Sequence, residues 1–444
     1  MNKEFHKKQN FFSFSDIDSE RKDRIMKFTS TEATPAPHVP PGVLRLTGAA
    51  KEDIPMYRIQ TMNKISPVGL NRFPSELYEV GDAVQDPQGI LVRSATLLDL
   101  EFNPSLLAIA RAGVGVNNIP LDRCAAAGIP VFSTPGANAN AVKELVICAM
   151  LMGSRDIPGA IRWVREQAAS GVDVSTVVEK GKSAFIGPEL YKKTLGIIGL
   201  GAIGSIVANT AISLGMDVYG YDPFLSVDTA LRLDRHVHVV KDINDLYKRS
   251  DYITMHIHYT EKTAHMIDAS AIAAMKRGVR VINLARGEIV DDEAMLTALD
   301  TGMVAAYITD FPNNRLLTAP HVIAMPHLGA STPESEQNCA AMAVDALRDY
   351  LESGNIRSSV NLPEMTMDRS GVQRLCVLHK NVPGMLANIT SLFGRDGVNV
   401  ENLSNKSRGD YAYTMVDLGS KVGDNVIEDV RRTANVIRVR SLEW

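Results

Sequence analysis

The sequence predicts an α/β chain built on doubly wound parallel sheets, and three observations predict it. Residues 195–222, LGIIGLGAIGSIVANTAISLGMDVYGYD, read as strand, tight turn, helix and strand. Near-continuous apolar runs at 252–257, 279–285, 304–310 and 322–326 follow, separated by helical stretches. Such runs suit parallel strands covered on both faces. The last seventy or so residues restart the alternation as strand, helix, strand, strand, helix, strand, which is a ferredoxin-like order.

Composition bounds the class. A length of 444 residues suggests about three domains. With 45% hydrophobic and 22% charged residues the chain reads as a soluble globular protein, and a net charge of −4 argues against a general nucleic-acid surface. The most apolar run, 145–152, is too short for a membrane span and reads as a buried helix. Cys124, Cys148, Cys339 and Cys376 are far apart and lack metal or redox spacing, so no metal site is expected. Each reads as a small buried apolar residue in a reduced, cytoplasmic protein. Residues 1–53 are mixed in charge and then proline-rich, and are expected to form a disordered extension.

From 56 to 152, strands are expected at 56–62, 89–95 and 130–136. Residues 106–115 read as a helix end running into a strand, and 141–155 as a long helix. This is a small doubly wound unit. A helix over 332–351 carries the chain away from the second unit, and 353–371 reads as a linker.

The glycine stretch carries the first chemistry. Gly199, Gly201 and Gly204 form G-x-G-x-x-G between a strand and a helix, the dinucleotide fingerprint of a Rossmann domain. The helix is expected to bury Ile206, Val207, Thr210, Ala211 and Leu214 and to end at Gly215. Its N-terminus, at Ala202 and Ile203, offers N–H groups to a pyrophosphate. Asp222, about 20 residues beyond the glycines, can bind both ribose hydroxyls. A carboxylate repels a 2′-phosphate, and the following Pro223 and Phe224 supply no arginine for one, so NAD is expected rather than NADP. His256, Arg286, Asp310 and His327 end successive strands at the sheet edge where ligands bind.

The segments VRSAT (92–96), RAGVGVNNI (111–119), GLGAIG (199–204), INLARGEIVDD (282–292) and PHLGAST (326–332) occur in the order and spacing of a known family. Over about 56–444 the chain resembles the D-3-phosphoglycerate dehydrogenases of the D-isomer-specific 2-hydroxyacid dehydrogenase family that end in an ACT domain. The resemblance implies a flavodoxin-like substrate domain at 54–152 and 333–360, an NAD-binding Rossmann domain at 153–332 and an ACT regulatory domain at 372–444. It implies Arg286 as the cation for the 2-oxo acid and His327 as acid/base, roles that suit a planar guanidinium and an imidazole. It implies Arg93, Ser94, Arg111, Val114 and Gly115 as substrate contacts, and Thr260, Ala285 and Asp310 as further cofactor contacts. Lys64 and Arg72 are further candidates for a phosphate, with a solvated surface role equally open.

Two departures stand out. The family's histidine pairs with a glutamate five residues after the aspartate, whereas this chain has DFPNNR and Arg315 there. Where most members read Val-Ala-Glu, this chain has Val142, Lys143 and Glu144. In the family this segment faces the cleft at the domain interface, so the resemblance makes Lys143 a candidate to share or take over the acid/base role, with binding of the substrate phosphate or a solvent-facing position as the alternatives. In the C-terminal unit, His379, Asn381, Gly384 and Asn399 match an ACT site for L-serine between two copies. The implied function is oxidation of 3-phosphoglycerate to 3-phosphohydroxypyruvate, inhibited by L-serine, in a homo-oligomer joined through the dehydrogenase and ACT domains. An enzyme for an unphosphorylated 2-hydroxy acid and an NADH-sensing corepressor are the alternative readings.

Overall fold

A computed structural model describes residues 56–444; the expected extension at 1–53 lies outside them. The chain opens with a five-stranded parallel sheet: β1 (Tyr57–Thr61), β2 (Tyr78–Gly81), β3 (Gly89–Val92), β4 (Ala108–Arg111) and β5 (Val131–Phe132), in the order β2-β1-β3-β4-β5. The middle strands are buried throughout, so their apolar runs show no alternation. Residues 106–107 enter β4 from a turn rather than a helix, because Leu106 donates its N–H to the Asn103 carbonyl in a local reversal.

Helix α1 (Ala139–Arg155) leads out of this unit. Two helices the sequence reading did not distinguish follow, α2 (Ile157–Ala169) and α3 (Val174–Gly181). They bury almost nothing: Gly159 alone in α2, and no residue of α3. Asp156 and Asp173 cap their N-termini, accepting from the backbone N–H groups of Gly159 and Ser175. Cys148 on α1 is exposed, against the expectation of burial, because it lies on the solvent side of a helix whose core face is Val142, Val146, Ala149 and Met150.

The second sheet holds β6 (Thr194–Ile198), β7 (Asp217–Tyr221), β8 (Val237–Val240), β9 (Tyr252–Met255), β10 (Val279–Asn283), β11 (Val304–Thr309) and β12 (Val322–Ala324). All are parallel, in the order β12-β11-β10-β9-β6-β7-β8. The strand order reverses beside β6, and the crevice at such a reversal is where α/β sheets take ligands. Strand β8 escaped the sequence reading because it is a half-exposed edge strand flanked by charge. Helix α4 (Ala202–Ser213) follows the glycine turn. It buries Gly204, Val207, Ala208 and Ala211, whereas Leu214 is exposed. The buried stripe begins at Gly204, where the helix crosses the Gly199 turn too closely for a side chain, and it turns Leu214 to the outside. Helix α5 (Asp292–Asp300), capped by Asp291, packs behind β11.

Helix α6 (Pro333–Ser353) returns the chain to the first sheet. Cys339, Ala340, Ala343, Val344, Leu347 and Leu351 form its buried face, the 3.6-residue stripe of an amphipathic helix. Each Val or Leu so buried contributes about 1.5–3 kcal/mol. Arg72, one of the phosphate candidates, forms an exposed bidentate pair with Asp345 of this helix at 2.6–2.7 Å.

The C-terminal unit has β13 (Gln373–Lys380), α7 (Met385–Arg395), β14 (Val400–Arg408), β15 (Tyr411–Leu418), α8 (Asp424–Arg432) and β16 (Val436–Glu443). Its antiparallel sheet runs β14-β15-β13-β16, with the predicted element order. Period-2 alternation splits the sheet into two faces. Leu375, Val377, Val416 and Leu418 meet α7 and α8. Cys376, Leu378, Tyr413, Met415 and Leu442 join one apolar cluster with Phe132, Tyr350 and Leu351 of the first unit. The segment expected as a linker is built into that cluster: Ile356 pairs with Met365, and Ile356, Leu362, Met365 and Met367 are buried. No helix among the described residues is long and apolar enough to cross a membrane.

Candidate active site

Each glycine of the fingerprint has a separate steric reason. Gly199 sits at φ +91°, and a Cβ there would lie 2.5 Å from the His256 carbonyl. A Cβ on Gly204 would collide with the Gly199 carbonyl. Gly201 has an ordinary φ and nothing within 4 Å of its Cβ position, leaving an open side for a phosphate to approach the backbone. Ala202 and Ile203 open α4 and present its N-terminal N–H groups there. Asp222, at the end of β7, is fixed by two backbone donors, Leu200 and Phe224, each at 2.9 Å, with Pro223 between. Thr260 lies on the exposed loop after β9, where its N–H donates to Thr263 Oγ1 at 2.7 Å. His256 packs beside the glycine turn, and burial pushes its imidazole down to about 4, so it is neutral near pH 7.

Opposite this loop stands the first unit. Gly136 faces Ala202, with its Cβ position 3.3 Å from the alanine methyl, and Gly329 faces Val142 of α1 at the same distance. Among the described residues four buried side-chain oxygens have no hydrogen-bond partner: Thr134 Oγ1, Asn138 Oδ1 and both carboxylate oxygens of Asp310. All four can accept hydrogen bonds, and unpaired buried acceptors call for a donor-bearing ligand. The carboxamide and ribose hydroxyls of a nicotinamide nucleotide carry such donors, so the residues present fit NAD. Burial pushes the Asp310 carboxyl up, while His327, the Gly329 N–H and Arg286 pull it the other way.

Arg286 leaves the end of β10 past Ala285, whose carbonyl accepts from Nη1 at 2.6 Å. The fully buried Asn283 holds this turn by donating to the Arg286 carbonyl at 2.8 Å. Nη2 then reaches across to within 3.6 Å of the Cβ position of Gly115, on the loop that also holds Val114. Arg111, at the end of β4, donates from Nε to the Arg93 carbonyl at 3.0 Å. Burial lowers the Arg111 pKa, and the charges of Arg93 and Arg286 push the same way, against Cys339. Three guanidiniums thus share one field. Arg93 is paired with Glu336 of α6 at 2.6 Å, and the backbone N–H of the neighbouring Ser94 donates to Asn63 Oδ1 at 3.1 Å.

His327 follows β12 and is exposed, its ring centroid 4.7 Å from that of Phe311 at 47°. Among the described residues no carboxylate hydrogen-bonds its ring. Arg315, in place of the family's glutamate, turns outward to Glu293 at 2.5 Å. Lys143 lies on α1 beside Val142, donating to Asn140 Oδ1 at 2.6 Å with Glu144 3.8 Å away. The structure thus gathers Arg93, Arg111, Arg286, Asp310 and His327 along one cleft, and leaves Lys143 bonded to its own helix. Sequence reasoning missed Asn63, Thr134, Asn138, Asn283, Phe311 and Glu336. Asn283, inside INLARG, carried a legible signal as an amide within an apolar strand.

In the C-terminal unit, His379 is buried, with Nε2 2.8 Å from Thr414 Oγ1 and Nδ1 2.8 Å from the Lys380 carbonyl. Asn381 donates to the Gly409 carbonyl at 3.1 Å and Asn399 to Glu401 at 3.0 Å, while Gly384 takes φ +85° at the start of α7. No hydrogen bond joins these four within one chain.

The fold agrees with the comparisons to known proteins. The model of the D-isomer specific 2-hydroxyacid dehydrogenase NAD-binding domain matches residues 147–329. The D-3-phosphoglycerate dehydrogenase of Haemophilus influenzae is 31% identical over 82% of this chain and 88% of its own length. That of Escherichia coli K12 is 32% identical over 82% and 89%. That of a Synechocystis strain is 36% identical over 71% of this chain, and the match spans only 56% of that relative. Among solved structures, the NAD+-bound 3-phosphoglycerate dehydrogenase of Entamoeba histolytica aligns with a TM-score of 0.54 and 26% identity, over 69% of this chain and 99% of that one. The chain belongs to the D-isomer-specific 2-hydroxyacid dehydrogenase family. Its near-full-length relatives carry the name D-3-phosphoglycerate dehydrogenase.

Proposed function

We propose that this protein oxidises 3-phospho-D-glycerate to 3-phosphohydroxypyruvate with NAD, the first step of the phosphorylated route to L-serine. The observation that carries the reading is the convergence of three guanidinium residues: Arg111 donates to the Arg93 carbonyl, and Arg286 reaches the Gly115 loop that follows Arg111. A 2-hydroxy acid with one carboxylate needs one such cation. A substrate that also bears a phosphate needs more, and guanidiniums match both groups.

Bound against the glycine turn, NAD supplies the hydride acceptor for the hydrogen on C2. Arg286 grips the carboxylate and the oxygen on C2, favouring the carbonyl as it forms. His327 receives the hydroxyl proton, so that loss of the hydride and the proton leaves the ketone. Lys143 either shares that proton or holds the phosphate, and comparing Lys143→Ala with His327→Ala in kcat against pH separates the two. Arg93 and Arg111 hold the distal anion, and Arg93 must exchange Glu336 for it.

We further propose a cytoplasmic homo-oligomer. The face of α2 and α3 that exposes Ile161, Val164 and Val178 is apolar enough to bury against a second copy. L-serine inhibition belongs to the same reading, at a site between two C-terminal units where Asn381 and Gly384 of one meet Asn399 of the other.

Following NADH absorbance with 3-phosphoglycerate or 3-phosphohydroxypyruvate, with and without L-serine, tests this. Turnover with a phosphorylated substrate is expected. Turnover only with unphosphorylated hydroxypyruvate or glyoxylate would move the protein to another branch of the family. Insensitivity to L-serine would remove the regulatory claim and leave the enzyme.

A further inference from the structure

The loop after β11 sends its polar side chains away from the cleft. Asn313 donates to Asp292 of α5 at 2.6 Å, and Arg315 pairs with Glu293 of the same helix. Phe311 stays behind. Its N–H donates to the fully buried Thr309 Oγ1 at 3.0 Å, which fixes where the side chain leaves the strand. Its Cβ lies 3.4 Å from the Cβ position of Gly287, which places the Phe311 side chain against the turn that follows Arg286. The ring lies 4.7 Å from the His327 imidazole on one side, and the Arg286 guanidinium carbon is 5.9 Å from its centroid. One aromatic side chain therefore stands beside both groups assigned to the reacting centre.

We propose that Phe311 is the positioning residue of this site, setting the ring plane of His327 and the fork of Arg286 where a carboxylate partner for the histidine is lacking. The inference rests on the dehydrogenase reading. A tilted aromatic contact restricts the imidazole to a narrow set of orientations. A π face near the guanidinium attracts it and keeps its edge free for substrate oxygens. When His327 accepts the substrate proton it becomes a second cation beside the same ring, so the contact strengthens as the reaction proceeds. Phe311 makes no bond to substrate and no proton passes through it.

Phe311→Leu removes the π face at similar volume, and Phe311→Tyr keeps it. Each is compared with the unaltered protein in kcat and KM, in NADH binding by fluorescence, and in the His327 ring-proton resonance by NMR with labelled histidine. The expected result for Phe311→Leu is a fall in kcat of about tenfold, little change in KM or NADH affinity, and a shift of the His327 resonance from loss of the ring current. Phe311→Tyr restores kcat and resonance. Equal kcat in Phe311→Leu, or equal loss in both variants, would overturn the inference. An unaltered protein that binds NADH but turns over no 2-hydroxy acid would instead sink the dehydrogenase reading, and the NMR comparison still decides whether Phe311 orients the imidazole.

Discussion

Arg286 reaches both halves of the cleft because its backbone is held at the end of β10 and its long side chain extends from there. Asn283 pins the turn from inside the sheet, and the guanidinium then spans to the Gly115 loop beside Phe311. A lysine there keeps the charge but loses the planar fork and the stacking face. Arg286→Lys is expected to lower kcat/KM by about 100-fold, equivalent to about 2.7 kcal/mol, in steady-state kinetics; an unchanged value would show that charge alone suffices. His256 gives a second prediction at this scale. Its folded pKa, about 4, lies below that of an unfolded histidine, so between the two the unfolded chain binds more protons. The stability it contributes is complete above about pH 6.5 and is lost as the pH falls toward about 4. Melting temperature against pH should fall over that window, and His256→Gln should flatten the fall.

The element that organises the cofactor side is the strand, turn and helix from β6 through α4. Its glycines look alike in the sequence and differ in the fold. Gly201→Ala meets open space, so the variant should fold with a melting temperature close to that of the unaltered protein, while the methyl blocks the phosphate approach and weakens NADH binding at least tenfold, about 1.4 kcal/mol. Gly204→Ala collides with the Gly199 carbonyl and should lower the melting temperature itself. Thermal unfolding and NADH titration of the two variants separate the roles; equal thermal behaviour would contradict the packing assigned to Gly204. The spacing made this element legible, because glycine positions in a tight turn are a local property. The burial stripe of α4 was less legible, since how closely a helix approaches a sheet is set by contacts distant in sequence.

Across the molecule, α6 is the member that joins the parts. It begins just after the His327 loop, runs 21 residues or about 30 Å, and ends in the grip of the C-terminal unit. Arg440 donates to the Tyr350 and Leu351 carbonyls at 2.9 and 2.8 Å, and Tyr413 donates to the Gly354 carbonyl at 2.7 Å. Beside them the fully buried Arg374 pairs with Asp417 at 2.5 and 2.7 Å and donates to the Ser353, Met367 and Asp368 carbonyls. Burial works against the Arg374 charge, and Asp417 more than offsets it, raising the pKa. Removing one partner strands the other, so Arg374→Ala should cost about 3–5 kcal/mol. An apolar Arg374→Met, Asp417→Leu pair should recover much of it. Denaturant unfolding measures both, and a loss under 1 kcal/mol in Arg374→Ala would show that the C-terminal unit is loosely held.

The sequence by itself determined the parallel sheets, the glycine turn with Asp222 at its far end, and the order of the C-terminal elements. Each rests on periodicity or on short-range steric demands that a few neighbouring residues impose. The family motifs around Arg286 and His327 also made these two residues the candidates for a cation and a base. Only the tertiary structure decided the surroundings of those groups. Arg315 could have faced the cleft or the solvent, and it faces out because α5 presents Glu293 there. His379 could have stood exposed at the sheet edge, and it is buried and bonded to Thr414 of the neighbouring strand. The second face of the C-terminal sheet could have been free, and it is covered because burying Cys376, Leu378 and Met415 against Phe132 and Leu351 removes apolar surface from water. Burial and partner choice are long-range properties, decided by which surfaces the fold brings together.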